Sequence, residues 1–262
     1  MSVARLPPVL VHIFKNPLPY ASTWNLQERI HKIQLAERST DLHPDILLLL
    51  QHRPVYTAGR RQTETDIQDE RNRLQKLGAD FVSSSRGGQL TYHGPGQVVG
   101  YPLIDLARYT PTIGTKDYVC RIQDMLKQYL RESHGLRSID SEHAGVFLDS
   151  TTKIASIGVQ VRHRITSHGF AINVTHEPLA WFNQVVACGL DDVRAGSVES
   201  RLGKGVVVEA EIPAIIQQFG KVFDREMVMM DPGKEHNIGA AIIALEKEAE
   251  DIGSWARTPM QQ

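Results

Sequence analysis

The chain of 262 residues has few cysteines, almost no net charge and no long apolar run. Its two cysteines, Cys120 and Cys188, are too few for a disulfide framework and fit a reducing compartment. A formal net charge of −1 gives no electrostatic reason to bind nucleic acid or a membrane surface. No run approaches the ~18 apolar residues that a membrane helix needs. With 41% hydrophobic residues, the chain is expected to form a globular fold with one large main domain.

The amino-terminal segment also lacks acidic residues. Its first 27 residues contain no Asp or Glu and carry only Arg5 and Lys15 as formal charges. This composition is typical of a mitochondrial presequence, although four prolines among the first 19 residues oppose an amphipathic helix there. No apolar core precedes a small-residue cleavage site, so secretion is not expected. We expect a mitochondrial location in a eukaryote and a cytoplasmic one otherwise.

The hydrophobic pattern predicts strands that alternate with helices. Strands are expected at 9–14, 45–52, 98–104, 145–148, 153–161 and 167–174. Helices are expected from a cap at Ser22 or Thr23 to residue 37 and over 66–77, 117–133, 212–223 and 238–251. Four consecutive leucines, Leu47 to Leu50, indicate a strand buried on both faces. A break at 231–233 predicts a main domain of residues 1–230 and a helical extension of residues 231–262.

The most informative stretch runs from Arg86 to Tyr101, with the sequence RGGQLTYHGPGQVVGY. Residues 89 to 93 alternate, as in a half-buried strand. Leu90 and Tyr92 are expected on one face, and the polar residues of the stretch on the other. Gly94-Pro-Gly predicts a turn into a returning strand, so the stretch is expected to form a hairpin.

Two glycines and one cation precede this strand. Gly87 and Gly88 have no side chains, so a ligand or another backbone can approach closely, with Arg86 as a cation at the entrance. From spacing alone, an ordinary glycine-rich hairpin is an equal interpretation. A phosphate cradle is less well supported, because the Gly-x-Gly-x-x-Gly and Walker spacings are absent and no helix begins after the glycines.

Two reactive side chains have settings that permit nucleophilic chemistry. Cys188 lies between an apolar segment and a glycine, and Lys153 opens a strand of apolar and small residues. A thiolate is a nucleophile, and a nearby ammonium favours its formation. Taken alone, however, each residue has a plainer interpretation: a small buried hydrophobe for the cysteine and an exposed strand end for the lysine. The eleven histidines show no metal-ligand spacing, and no Ser/His/Asp order stands out.

Small residues follow one face of the strand at 167–174. Ser167, Gly169, Ala171 and Asn173 share this face, while Phe170, Ile172 and Val174 are expected in the core. On the preceding strand, Ile154, Ser156 and Gly158 are expected to share a face. Small residues opposite the two glycines leave either a slot for a ligand or room for tight sheet packing.

Five segments, in order along the chain, resemble the motifs of one family, the octanoyltransferases of lipoate biosynthesis, also called lipoyl(octanoyl) transferases. The segments are PVYTAGR at 54–60, the run at 86–101, KIASIG at 153–158, SHGFAIN at 167–173 and ACGL at 187–190. Gln51 stands where many members carry Glu, a departure expected to concern structure rather than chemistry.

The resemblance implies roles for particular residues. Cys188 would carry the acyl group as a thioester, and Lys153 would lower the pKa of its thiol or move its proton. The positions implied to bind substrate are Arg86, Gly87, Gly88, Gln89, Leu90, Thr91, Tyr92, His93, Ser156, Ile157, Gly158, Gly169, Phe170 and Ala171.

It also implies a fold and a reaction. The expected fold is α/β of the α+β type, with mixed β-sheets flanked by helices, related to the catalytic core of biotin and lipoate protein ligases. Octanoyl would move from octanoyl-acyl carrier protein to a lysine amine of a lipoyl domain. The acceptor would be an E2 subunit of a 2-oxoacid dehydrogenase or the glycine cleavage H protein. Because a thioester donor is already activated, no ATP, cofactor or metal is expected, nor is a nucleic acid or membrane partner.

Two alternatives remain open at this point. An ATP-dependent lipoate or biotin ligase on the same core would hold an acyl-adenylate and would not need Cys188. A catalytically inactive relative would act only as a protein-binding module, and the presence of both Lys153 and Cys188 argues against it.

Overall fold

The computed structural model describes residues 6–40, 43–62, 64–185 and 192–261. Within these ranges, eleven strands form two sheets with seven α-helices around them. The strands are β1 (Val9–Ile13), β2 (Asp45–Leu50), β3 (Val55–Ala58), β4 (Asp80–Ser83), β5 (Thr91–His93), β6 (Gln97–Leu103), β7 (Val146–Asp149), β8 (Thr152–Arg162), β9 (Ile165–Asn173), β10 (Arg194–Ala195) and β11 (Met227–Met229). The helices are α1 (Tyr20–Glu37), α2 (Glu64–Lys76), α3 (Thr115–His134), α4 (Glu177–Phe182), α5 (Val198–Leu202), α6 (Val208–Phe223) and α7 (His236–Asp251).

The larger sheet mixes parallel and antiparallel pairs. Its strand order is β10-β8-β9-β6-β2-β1-β11, with β7 paired to β8 beside this path. The outer pairs β10/β8, β1/β2 and β1/β11 are parallel, whereas β2/β6, β6/β9 and β8/β9 are antiparallel. The smaller sheet has the order β4-β3-β5. Mixed sheets flanked by helices confirm the predicted fold class.

Two apolar layers cover the larger sheet and explain the four consecutive leucines. Leu47 and Leu49 belong to a cluster that includes residues of α3 and α6, whereas Leu48 and Leu50 belong to another that includes residues of α1 and α7. Every residue of β2 is buried. Because successive side chains of a strand point to opposite faces, a strand covered on both sides is apolar throughout.

The hairpin expected around Gly94 to Gly96 is wrong. β5 pairs with β3 in the smaller sheet, while β6 pairs with β2 and β9 in the larger one. The turn therefore carries the chain from one sheet to the other. The Gln51 side chain accepts a hydrogen bond from the Gly96 N–H at 2.8 Å and donates one to Glu209 at 3.1 Å. Gln51 thus has a structural role at this turn.

One motif and one predicted helix start gain detail in the structure. The motif at 54–60 contains β3, the central strand of the smaller sheet. Helix α1 begins at Tyr20 with Pro19 as its cap, not at Ser22 or Thr23. The Thr23 hydroxyl donates instead to the Pro19 carbonyl at 2.7 Å, so it bonds back within the first turn.

The carboxy-terminal segment contributes to the core. Ile238, Ile242 and Leu245 of α7 lie in the cluster that includes residues of α1. The chain then returns to the smaller sheet, where the Met260 N–H donates to the Leu77 carbonyl at 3.0 Å. The division at residue 230 stays a prediction, but the extension is packed against both sheets. Among the described residues, no helix combines the length and apolar character that crossing a membrane requires.

Candidate active site

A cavity of about 110 Å³ lies between the glycine-rich stretch and strands β8 and β9. This central cavity is several times the ~10–15 Å³ that one water molecule requires. Its lining residues are Tyr20, Arg61, Arg86, Gly87, Gly88, Gln89, Thr91, His93, Tyr101, His143, Ala144, Lys153, Ser156, Ile157, Gly158, His168, Gly169, Phe170 and Ala171. The lining residues from 86 to 93 are called the loop wall, and those from 153 to 171, excluding His168, the strand wall.

Arg86 organises the loop wall from inside. Its side chain is buried, and its guanidinium donates to the Thr57 hydroxyl from Nε at 3.1 Å and from Nη2 at 2.8 Å. Nη1 donates to the Gly87 carbonyl at 3.0 Å, and Nη2 to the Gln89 carbonyl at 2.8 Å. The expectation of a cation standing at the entrance is therefore wrong, because these bonds fold the loop around the guanidinium.

The predicted alternation from residue 89 to 93 is confirmed. Gln89, Thr91 and His93 line the central cavity, while Leu90 and Tyr92 lie in the apolar cluster of the smaller sheet. Tyr92 stacks on Trp181 there, with ring centres 5.4 Å apart. The strand is not half-buried, however. All three residues of β5 are buried: Tyr92 packs against Trp181 and Phe182 of α4, while Thr91 and His93 line the central cavity.

Lys153 reaches the strand wall through an irregularity in β8. Phe147 pairs with Lys153 and Val146 with Ala155, so Ile154 is an extra residue on β8. Such a bulge re-aims the side chains beside it. Ile154, expected on the face of Ser156, lies instead in the apolar cluster that includes α3 and α6. Lys153 and Ser156 consequently line the same cavity.

The Lys153 side chain is enclosed, so the interpretation as an exposed strand end is wrong. Only 8% of the residue is exposed, and its Nζ lies 5.6 Å from the centre of the Phe147 ring. A Cβ added to Gly145 would lie 2.6 Å from Lys153 Cε, so glycine there makes room for the lysine. Lys153 also lines a second cavity with Val193, Arg194 and other residues, called the side cavity.

Gly169 and Ala171 occupy the strand wall for different reasons. A Cβ on Gly169 would lie 2.1 Å from the Gly100 carbonyl oxygen of β6, which confirms tight sheet packing at this position. Ala171 faces the cavity and is almost fully buried. Phe170 lines the cavity. It also belongs to the apolar core, together with Ile172 and Val174.

The sequence indicated His93 as a substrate-binding position but not His52, His168, Tyr20 and Tyr101, which also lie around this cavity. His52, His93 and His168 are far apart in sequence, yet all three are buried close to it. Burial, together with the nearby His52 and Arg86, lowers the pKa of His93 well below its usual value. The position of His168 inside the motif at 167–173 was an available signal.

His52 joins the elements on either side of the cavity. Its Nδ1 donates to the Leu18 carbonyl at 3.0 Å, and its Nε2 accepts from the Tyr101 hydroxyl at 2.6 Å. Its ring centre lies 5.8 Å from that of His93. Burial lowers the pKa of His52 to about 4, so the ring is neutral near pH 7.

Of the two cysteines, Cys188 lies outside the described residues. Cys120 is a free, exposed cysteine on α3. In the part of the chain that the structure describes, no group of three or more His, Cys, Asp or Glu side chains is arranged to hold a metal ion.

Solved structures share the fold of this chain at low sequence identity. A lipoate protein ligase from T. acidophilum with bound lipoic acid gives a TM-score of 0.63 at 14% identity, covering 94% of each chain. A lipoate-protein ligase A bound with ATP gives 0.61 at 14% identity, covering 94% of this chain and 95% of its own. These likenesses support the α/β architecture with mixed sheets and do not extend to activity.

Curated relatives are much closer in sequence. An octanoyltransferase of Koribacter versatilis is 38% identical over 190 residues, which cover 71% of this chain and 75% of the relative. An octanoyl-[acyl-carrier-protein]:protein N-octanoyltransferase of Danio rerio, named as mitochondrial, is 33% identical over 86% of this chain and 96% of the relative. The family model of the lipoyl protein ligase A/B catalytic domain matches residues 19–220. The chain therefore belongs to the lipoyl protein ligase A/B family and, within it, to the octanoyltransferases.

Proposed function

We propose that this enzyme moves octanoyl from octanoyl-acyl carrier protein through a thioester on Cys188 to a lysine amine of a lipoyl domain. The observation that carries the proposal is the burial of Lys153 in a cavity built by the family's glycine-rich loop. A buried lysine in a cavity is suited to proton transfer and to stabilising a thiolate.

The first step forms an acyl-enzyme. The Cys188 thiolate attacks the thioester carbonyl, a new C–S bond forms, and the bond to the carrier sulfur breaks. The carrier leaves as a thiol after taking up one proton. In our proposal Lys153 lies close enough to favour the thiolate before attack and to pass that proton on.

The second step transfers the acyl group to nitrogen. A neutral lysine amine of the lipoyl domain attacks the Cys188 thioester, the C–N bond forms and the C–S bond breaks. The nitrogen loses one proton, and the departing thiolate of Cys188 can take it. Both steps transfer the octanoyl group from a thioester. Because a thioester is already activated, the two steps require no ATP and no cofactor.

Chain geometry supports the pairing of Cys188 with Lys153. Val193 lines the side cavity together with Lys153, and Ala195 of β10 pairs with Lys153 of β8. Val193 is five positions after Cys188 in the chain, and a chain spans at most ~3.6 Å per residue, or about 18 Å here. This upper limit is compatible with the proposed pairing of Cys188 with Lys153.

We base the proposed donor and partners on the curated relatives. The relatives at 33–38% identity are named octanoyltransferases, whereas the ligases share the fold at 14% identity. An octanoyl tail has about six methylenes, whose burial is worth at most roughly 5 kcal/mol at ~0.8 kcal/mol each. As acceptors we propose lipoyl domains of E2 subunits or of the glycine cleavage H protein. For a eukaryotic source we propose a mitochondrial location, as in the relative from Danio rerio.

The test is acylation of the protein by octanoyl-acyl carrier protein without ATP, followed by intact mass measurement. We expect one octanoyl adduct on the unchanged protein and on Cys120→Ser, and none on Cys188→Ser. The matched serine variants separate a motif cysteine from an exposed helical one. An adduct that persists in Cys188→Ser and disappears in Cys120→Ser would overturn the assignment.

A second arm separates transferase from ligase. The protein is incubated with free octanoate, ATP and a lipoyl domain, in the absence of carrier protein. We expect no modification of the domain under these conditions. Modification that depends on ATP and survives Cys188→Ser would identify a ligase instead.

A further inference from the structure

His168 has a strained backbone within β9. Its φ is +56°, and no other residue of the strand has a positive φ. Its N–H donates to the Gln27 side chain of α1 at 2.8 Å. For a residue other than glycine, the left-handed region costs roughly 1–2 kcal/mol. Such strain persists where the surroundings impose it, and it is concentrated at functional sites.

The His168 ring is held at the central cavity by aromatic contacts. It stacks on Trp24 of α1, with ring centres 4.5 Å apart and planes inclined by 12°. The residue is 1% exposed, and it lines the cavity. Its Nδ1 has no hydrogen-bond partner among the described residues. A buried polar atom without a partner costs free energy that a ligand can recover.

Hydrogen-bond directions around the ring assign the role of Nδ1. The Ser85 hydroxyl lies 3.3 Å from the Gln160 side-chain oxygen, which can only accept, so the hydroxyl donates to it. The same hydroxyl lies 3.5 Å from His168 Nε2, so it is left to accept and Nε2 carries the proton. In this neutral tautomer Nδ1 presents a lone pair. A ligand must therefore supply a donor.

The charges nearby restrict which donor fits. Burial and the positive charges of Arg86, Arg162 and Arg60 lower the pKa of His168 to about 3, so the ring is neutral at working pH. The same three cations repel a positively charged ligand group. An ammonium is disfavoured, whereas the N–H of an amide or of a neutral amine keeps its donor without added charge.

We infer that His168 is a substrate-binding residue whose Nδ1 accepts a hydrogen bond from a neutral N–H donor in the central cavity. The inference rests on the proposed function, which supplies two such donors. One is the amide N–H of the carrier's thioester arm, and the other is the neutral amine of the acceptor lysine. The first would act in formation of the acyl-enzyme and the second in transfer from it.

Two substitutions at this position keep the backbone conformation available. Glycine and asparagine both tolerate a positive φ, and both lose the stack on Trp24. Asparagine keeps a side-chain oxygen near the position of Nδ1, whereas glycine has no acceptor. The difference between His168→Asn and His168→Gly therefore isolates the hydrogen bond from packing and strain.

The first arm measures binding without turnover. In the Cys188→Ser background, calorimetry gives the Kd of octanoyl-N-acetylcysteamine, which has one amide N–H, and of an S-alkyl thiooctanoate that has none. If His168 binds the arm, His168→Gly weakens binding of the first probe about tenfold, the worth of one hydrogen bond. The Kd of His168→Asn for the first probe then stays within about threefold of that with His168. The S-alkyl probe binds all three forms, with His, Gly or Asn at 168, with the same Kd.

The second arm measures transfer from the preformed octanoyl-enzyme to a lipoyl domain. If His168 binds the acceptor amine, donor binding is unchanged and His168→Gly raises the KM for the domain about tenfold, with rescue by His168→Asn. Either pattern supports the inference. The inference is overturned if His168→Gly has the same probe Kd and the same KM for the lipoyl domain as the unchanged protein. It is also overturned if His168→Gly and His168→Asn weaken binding by the same factor. If the unchanged protein, with Cys188 present, forms no octanoyl adduct, the proposed function itself is refuted.

Discussion

The two walls of the central cavity each contain one buried cation, and the surroundings of the two cations differ. Arg86 on the loop wall donates to the Thr57 hydroxyl and to carbonyl groups of its own loop. Lys153 on the strand wall lines two cavities, and its position follows from a bulge in β8. A guanidinium with five fixed donors is suited to holding a loop, whereas a lysine is suited to proton transfer. Arg86 thus holds the loop wall together, and in the proposed function Lys153 moves the proton.

The largest expected effect separates chemistry from architecture at Lys153. Lys153→Met is similar in length and uncharged, so the fold should persist. Loss of a group that moves protons costs roughly 10²–10⁴ in rate. We expect acylation of Cys188 to slow by that amount, with partial recovery at high pH, where the thiolate forms unaided. The pH dependence of iodoacetamide alkylation at Cys188 measures this directly. Coincident curves for the two forms would restrict Lys153 to holding substrate.

A matched pair of glycines compares how tightly the walls are packed. In Gly169→Ala on the strand wall, the new Cβ would lie 2.1 Å from the Gly100 carbonyl oxygen. In Gly87→Ala on the loop wall, it would lie 3.5 Å from the Val159 carbonyl oxygen, an ordinary contact. Overpacking against backbone costs typically ~1–3 kcal/mol, so we expect a loss near the upper end for Gly169→Ala.

For Gly87→Ala the expected loss in unfolding free energy is within about 0.5 kcal/mol, the usual range away from such features. Urea unfolding of the two variants gives both values. Equal losses would contradict the view that a close backbone contact requires glycine at 169 and not at 87.

Arg86→Lys tests whether the loop wall depends on the guanidinium or only on its charge. Lysine keeps the charge but cannot reach the Thr57, Gly87 and Gln89 acceptors together. Hydrogen bonds from a charged donor are worth ~1.5–3 kcal/mol, so we expect a loss of about 2 kcal/mol in unfolding free energy. Activity should fall together with stability, whereas in Lys153→Met activity should fall while the fold persists. An unchanged melting temperature together with reduced activity would assign Arg86 to substrate instead.

The smallest effect concerns His52, whose ring lies between His93 of the loop wall and Tyr101. Its pKa is about 4 in the folded protein against 6.5 in the unfolded chain. Below pH 6.5 the unfolded chain therefore binds more protons, and stability falls as pH falls toward 4. Between pH 7 and pH 5.5 the expected loss from this one group is about 1 kcal/mol.

Urea unfolding of the unchanged protein and of His52→Gln at both pH values isolates this contribution. The glutamine variant should be less stable at pH 7 but should lose about 1 kcal/mol less on acidification. An identical pH dependence in both proteins would show that folding does not lower the pKa of His52.

The sequence by itself determined much of this protein. The alternation from Gln89 to His93 and the double-faced burial of Leu47 to Leu50 follow from local periodicity. Five ordered motifs were sufficient to indicate the family, because their residue types and order are far more specific than composition. Such features depend on neighbours in the chain, which a sequence displays directly.

Only the tertiary structure decided how these parts meet. Whether β5 pairs with β6 or with β3 depends on strands far apart in the chain, and the nearer partner was not the one used. The extra residue Ile154 depends on register against β7, and it decides which side of β8 faces the cavity. The need for glycine at 169 arises from the carbonyl of Gly100 on another strand. Register and close backbone approach are set by long-range packing, which local patterns do not contain.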